Sequence, residues 1–218
     1  MPMRFELVVF DWDGTLMDST ATIASSIQRA CQDLGLPVPS DAAAQHVIGL
    51  GLTDALSYAV PELRADMVPQ MVARYRYHYL SRDGVLSLFP GARLMLDELK
   101  AKGHRLAVAT GKNRVGLDRA LAQCDLGNFF DATRTADESA PKPDPRMLLD
   151  LTEALEVAAE HTLMVGDTTH DLTMARNAQT AGVAVSYGAH PAEQLFALSP
   201  LAVLDSPARL RDWLIQHA

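Results

Sequence analysis

Leu7-Val8-Val9-Phe10-Asp11-Trp12-Asp13-Gly14-Thr15-Leu16 is the stretch on which the fold turns. Four consecutive apolar residues stop abruptly at an acid, the pattern of a short strand buried on both faces of a parallel sheet whose polar end lies where the sheet ends. The same grammar returns at Leu106-Ala107-Val108-Ala109 before Thr110, and at Thr162-Leu163-Met164-Val165 before Gly166-Asp167. It returns more weakly at Val183-Ala184-Val185-Ser186 and Ala202-Val203-Leu204-Asp205, which makes five expected strands. Between them lie helical spacings: Ala92, Met95, Leu96 and Leu99, closed by Gly103, then Met147, Leu148, Leu151 and Leu155 after Pro145. Leu172, Ala175, Ala178 and Ala181 continue the pattern up to Gly182. Strand and helix in alternation predict an α/β fold with a doubly wound parallel sheet.

Ser19 to Leu86 breaks that rhythm and offers helical patterns only. Ile23, Ile27, Ala30, Cys31 and Leu34 form one face, stopped by Gly35 and Pro37; Leu63, Met67, Met71, Val72 and Tyr75 form another. An insert directly after the first strand would sit over that strand's carboxyl end, where ligands bind in open α/β sheets. The expected organisation is therefore a core of residues 1–17 and 87–218 and a small α-helical cap domain of residues 18–86.

Composition narrows the function classes. The 218 residues are 48% hydrophobic and 21% charged, with 13 Gly and 12 Pro spread along the chain, which excludes disordered, collagen-like and disulfide-scaffold classes. A formal charge of −8, from 19 Lys and Arg against 27 Asp and Glu, repels phosphate backbones and anionic membranes, so neither nucleic acid nor membrane is an expected partner. Cys31 and Cys124 fall among apolar residues and read as buried, reduced structural thiols, consistent with a cytoplasmic protein. No run reaches the length of a spanning helix or of a signal-peptide core.

Candidate chemistry sits where the strands end. Asp11 and Asp13 are paired acids, with Gly14 allowing a sharp bend past them. Gly166-Asp167-Thr168-Thr169-His170-Asp171 ends a second buried run with two more acids. Four carboxylates converging on one crevice repel without a cation, and hard oxygen ligands suit Mg²⁺, which favours phosphate-bearing substrates. Thr110 offers a hydroxyl, Gly111 a close backbone N–H, and Lys142 a cation in a loop stiffened by Pro141, Pro143 and Pro145. An Asp-x-Asp alone reads as a turn and Lys142 alone as a solvated side chain; placed together at strand ends, the set reads as a site.

This ordered set resembles the haloacid dehalogenase superfamily phosphatases that carry a helical cap after the first motif. Asp11-Trp12-Asp13-Gly14-Thr15 matches the first motif, Thr110 the second, Lys142 the third, and Gly166-Asp167 with Asp171 the fourth. The resemblance implies that Asp11 attacks phosphorus, that Asp13 protonates the leaving alcohol and later activates water, and that Asp11, the Asp13 carbonyl and Asp167 bind Mg²⁺. It further implies that Thr110, the Gly111 amide and Lys142 hold the phosphoryl oxygens, with Asp171 acting behind them through water or Lys142.

Asp13 sets the chain apart from the metal-free dehalogenases, which lack the second acid. Sugar-phosphate mutases of this architecture place a cap histidine and a lysine where this chain has Ile23 and Ile48, so hydrolysis is the better expectation. The loop Val47 to Leu56, with Gly49, Leu50 and Gly51, together with Asp18-Ser19, resembles bacterial phosphoglycolate phosphatases and points to a small phosphorylated metabolite, 2-phosphoglycolate among the candidates. Gly49 and Gly51 also read as a tight helix-to-helix turn. A signalling receiver domain or an idle phosphate-binding scaffold are the alternatives; the position of Asp11 after the first strand and the completeness of the kit count against both. Arg74, Arg76, His78 and Arg82 read as a solvated helix face and Tyr75 and Tyr79 as packing. His46 and His170 lack zinc-ligand spacing, although His170 stands close enough to Asp167 to affect pH dependence. Lys112 and Arg114 read equally as surface residues or as a reinforcement of the phosphate site. Either a monomer or a homodimer fits the sequence.

Overall fold

A computed structural model describes residues 4–218; the first three residues of the expected core lie outside the described residues. Six parallel strands form one sheet: β1 Leu7–Phe10, β2 Arg105–Thr110, β3 Ala132–Thr135, β4 Thr162–Gly166, β5 Ala181–Val185 and β6 Val203–Leu204, in the order β3-β2-β1-β4-β5-β6. Each side chain of β1 is fully buried because the strand feeds two cores at once. Val8 and Phe10 enter one apolar cluster with Met95, Leu96, Leu117 and Leu210, whereas Leu7 and Val9 enter the opposite one with Met147, Leu151, Met164 and Met174. That is why β1 reads as a continuous apolar run rather than an alternating one.

Four α-helices follow β1 directly: α1 Thr20–Leu34, α2 Asp41–His46, α3 Leu52–Ala59 and α4 Val68–Asp83. Their inward faces, including Ile27, Cys31, Leu56 and Met71, make a separate apolar cluster with Ile48 of the α2–α3 connection. The remaining helices alternate with strands: α5 Ala92–Ala101, α6 Arg114–Gln123, α7 Arg146–Ala154, α8 Thr169–Asn177, α9 Ala192–Phe196 and α10 Pro207–His217. Among the described residues no helix is long and apolar enough to cross a membrane.

Four expectations need correction. β3 was not among the five expected strands, because Ala132-Thr133-Arg134-Thr135 lies at the sheet edge and is half-buried over three of its four residues. α8 stops at Asn177 rather than at Gly182: Gln179 turns the chain with φ 58°, and Ala181 and Gly182 already belong to β5. Leu63 and Met67 precede α4, which begins at Val68 with a proline in its first turn. Of the two free thiols, Cys31 is buried, while Cys124 ends α6 and is only half-buried.

Candidate active site

β1 and β4 are neighbours in register, Phe10 opposite Val165, so the residues that follow them emerge side by side at the carboxyl edge of the sheet. The Asp11 amide donates to the Val165 carbonyl at 2.9 Å, which extends the ladder to the point where the side chain leaves it. Asp11 is 1% exposed; its Oδ1 accepts from Lys142 Nζ at 2.6 Å, and its Oδ2 is buried with no hydrogen-bond partner. Burial pushes the Asp11 carboxyl up to about 7, against the pull of Lys142.

Asp167 follows β4 and is likewise fully buried. Oδ1 accepts from Thr15 Oγ1 at 2.8 Å and Oδ2 from the Ala189 amide at 2.7 Å. Burial, with Asp11 and Asp171 nearby, holds its carboxyl well above the ordinary range. Gly14 makes this approach possible: its φ is +84°, and a Cβ there would stand 2.2 Å from Asp167 Oδ2.

Asp171 occupies the first turn of α8, where it forms a capping box with Thr168. Both of its oxygens are engaged, Oδ1 by Lys142 Nζ at 2.7 Å and Oδ2 by the Thr168 hydroxyl and amide at 2.6 and 3.1 Å. Lys142 is thus clamped between Asp11 and Asp171 with no exposed side-chain surface. Burial by itself would lower the Lys142 ammonium pKa, but the two carboxylates outweigh it and raise it.

Asp13 is turned the other way. Its Oδ1 accepts from Ser19 Oγ at 2.6 Å and its Oδ2 pairs with Lys112 Nζ at 3.1 Å. Lys112 also donates to the Tyr79 hydroxyl of α4 at 3.0 Å, so one ammonium ties an acid of the sheet edge to the helical insert. The sequence left Lys112 undecided between surface and site. It lies beside Asp13, and the only signal was its position next to Gly111.

Thr110 ends β2 fully buried, with its hydroxyl accepting from the Lys112 amide at 3.2 Å. Gly111 touches the insert directly: a Cβ there would meet the Leu50 and Gly49 carbonyl oxygens at 2.4 and 2.5 Å. Gly49 has φ +93°, whereas Gly51 has φ −60° and ψ 141°, so only the first of these two needs glycine's left-handed freedom. A cavity of about 660 Å³ opens beside Asp13 and Gly111, between these loops, α1, α4 and α6.

Other candidates resolve elsewhere. Arg74 Nε and His78 Nε2 both reach Asp33 Oδ2 at 2.7 Å, which joins α4 to α1 rather than leaving a merely solvated face. Arg114 pairs with Glu138 and Asp118. Tyr75 and Tyr79 stack at 5.8 Å, and besides packing they line the cavity. Three histidines form an unforeseen junction: His170 and His190 each place Nε2 within 3.0 Å of the His46 carbonyl, and His190 Nδ1 accepts from the Thr169 amide. His190 carried no motif that sequence reading could have used.

The charge balance tests whether a cation fits. Among the described residues the cations paired with Asp11, Asp13 and Asp171 are Lys112 and Lys142, and ligand atoms of Asp11, Asp167 and Asp171 lie within 4.8 Å of one another. Asp11 has an orphaned oxygen, while each Asp167 oxygen and Asp171 Oδ1 accept a single hydrogen bond and keep a lone pair. A hard divalent cation matches both the donor set and the excess charge.

Comparison with known proteins agrees with this geometry. Residues 8–185 match the family model described as haloacid dehalogenase-like hydrolase. A protein of Dickeya dadantii named "Probable phosphatase IndB" is 39% identical over 92% of this chain and 89% of its own length. A phosphoglycolate phosphatase of Rhodospirillum rubrum is 35% identical over 95% and 90%. A solved structure titled as a predicted phosphoglycolate phosphatase from Haemophilus somnus superposes with a TM-score of 0.86 at 26% identity, covering 99% of both chains. With the model matched across most of its length and relatives this similar over nine-tenths of it, the chain belongs to the haloacid dehalogenase-like hydrolases.

Proposed function

We propose that the protein is a Mg²⁺-dependent phosphomonoester hydrolase acting through an aspartyl-phosphate on Asp11, with a small phosphorylated metabolite as substrate. The observation that carries this reading is the buried, unpartnered Oδ2 of Asp11, poised at the end of β1 beside Asp167 and Lys142. Asp11 Oδ2 attacks phosphorus as the ester oxygen departs, and Asp13, at the mouth of the cavity, gives that oxygen its proton. Asp13 then takes a proton from the water that attacks the acyl phosphate and frees Asp11. Thr110, the Gly111 amide and Lys142 hold the phosphoryl oxygens, and Asp171 fixes the Lys142 ammonium. Asp11, the Asp13 carbonyl and Asp167 would hold Mg²⁺, which when bound neutralises the charge that keeps an anionic nucleophile from a phosphate. The helical insert of residues 18–86 would act as a cap that excludes bulk water.

The names of the phosphatase relatives support the reaction, and those named phosphoglycolate phosphatase make 2-phosphoglycolate a candidate substrate. A relative of Bacillus mycoides named pyrophosphatase PpaX, 31% identical, makes inorganic pyrophosphate a second candidate. The test is phosphate release from a panel of small esters and pyrophosphate, with Mg²⁺ and with chelator, against Asp11→Asn as blank. Mg²⁺-dependent release above the blank is expected. No release from any of them by folded protein overturns the proposal.

A further inference from the structure

We infer that the ester hydrolysed here carries a bulky, uncharged and largely apolar alcohol, not the two-carbon acid glycolate. This rests on the phosphatase reading and concerns the leaving-group side of the same site. The cavity of about 660 Å³ that opens at Asp13 has room for on the order of twenty water-sized groups, of which a two-carbon acid would fill a small part. It is the size of pocket that encloses a far larger organic molecule.

The larger part of its wall is apolar and aromatic. Ile23 and Ile27 of α1, Ile48 and Val72 line it together with the stacked rings of Tyr75 and Tyr79. A hydroxyl set against these isoleucines loses its hydration, a cost that an apolar group avoids. At the same cavity Leu80 of α4 and Val115 of α6 remain 45% and 70% exposed, a surface that an apolar alcohol would cover.

Charge does not select a second anion. Lys112, Arg76 and Arg119 line the cavity against Asp13, Asp54 and Asp137, three cations to three carboxylates. Lys112 is already engaged by Asp13 and Tyr79. Arg74 of α4 is taken by Asp33 and does not line the cavity, while Arg76 of the same helix stands there among the balanced charges. What the lining rewards is buried apolar area.

The test is a homologous series of n-alkyl phosphates from ethyl to hexyl, with 2-phenylethyl phosphate and 2-phosphoglycolate, assayed for phosphate release in saturating Mg²⁺. The leaving alkoxides of the series have closely matched basicity, so changes in kcat/KM report binding of the alcohol. We expect a rise of about two- to fourfold per methylene, and 2-phenylethyl phosphate to exceed 2-phosphoglycolate by about tenfold or more. Val72→Ser and Tyr75→Ala should flatten the rise. A flat or falling series, or a preference for 2-phosphoglycolate, overturns this inference while leaving the hydrolase reading intact. Release from none of these esters while the wider panel with pyrophosphate is hydrolysed likewise overturns this inference alone; release from neither above the Asp11→Asn blank overturns the hydrolase reading itself.

Discussion

Gly111→Ala tests how tightly the docking of the insert is coupled to the chemistry at Asp11. The added methyl would stand 2.4 Å from the Leu50 carbonyl oxygen, 2.5 Å from that of Gly49 and 2.8 Å from the Gly49 carbonyl carbon, all backbone atoms that no rotamer change can move. Restoring an ordinary non-bonded separation of about 3.5 Å requires the loop to retreat by about 1 Å. Gly49 is hemmed on its far side by Thr168, 3.4 Å from where its own Cβ would lie, so the retreat shifts the insert against the sheet edge. A displacement of that size at a reacting centre costs about a hundredfold in rate, or about 2.7 kcal/mol. We expect kcat/KM for phosphate release to fall by about that factor, with the thermal midpoint moving by only a few degrees because the loop relieves the clash. Gly51→Ala is the control: its φ and ψ suit any residue, and its Cβ would lie an ordinary 3.5 Å from that of Ala136. Wild-type kcat/KM in Gly111→Ala, or an equal loss in Gly51→Ala, would refute the reasoning.

Asp11→Asn should abolish phosphate release while the thermal midpoint holds or rises, because the charge it removes is one that burial already disfavours; a midpoint lower by ten degrees would contradict that account. Lys142→Met leaves the Asp11 and Asp171 carboxylates buried without their shared cation and should cost about 3–5 kcal/mol in urea denaturation. Adding Asp171→Asn should recover part of that stability but none of the activity. His190 is 2% exposed and burial pulls its pKa from 6.5 down to about 4, so between those values the unfolded chain binds the extra proton. The His190 contribution to stability should therefore be constant above pH 6.5 and fall below it, by about 2 kcal/mol at pH 5. His190→Gln should lose correspondingly less between pH 7 and pH 5, and equal losses in the two proteins would remove His190 as the cause.

The stretch from Leu7 to Thr15 declares both a strand with two buried faces and the acids at its end, since burial on both sides leaves no polar position until the sheet stops. The same logic placed Thr110 and Asp167. It failed at β3, where edge position lets threonine and arginine stand in a strand, and at the end of α8, where alanines serve helix and strand alike. Composition and local pattern thus determined the α/β class, the helical insert and the candidate motifs, because each is written in residues adjacent in sequence or one helical turn apart.

Pairings across long separations were decided by tertiary structure alone. Lys142 meets Asp11 across 131 residues, Thr15 meets Asp167 across 152, and Lys112 reaches Tyr79 of the insert while holding Asp13. The orphaned oxygen of Asp11, the His46 junction and the apolar cavity have the same origin. Each depends on which buried groups are left facing one another once the sheet has closed, and burial sets the energy of a carboxylate, an ammonium or a methyl far more than its neighbours in sequence do.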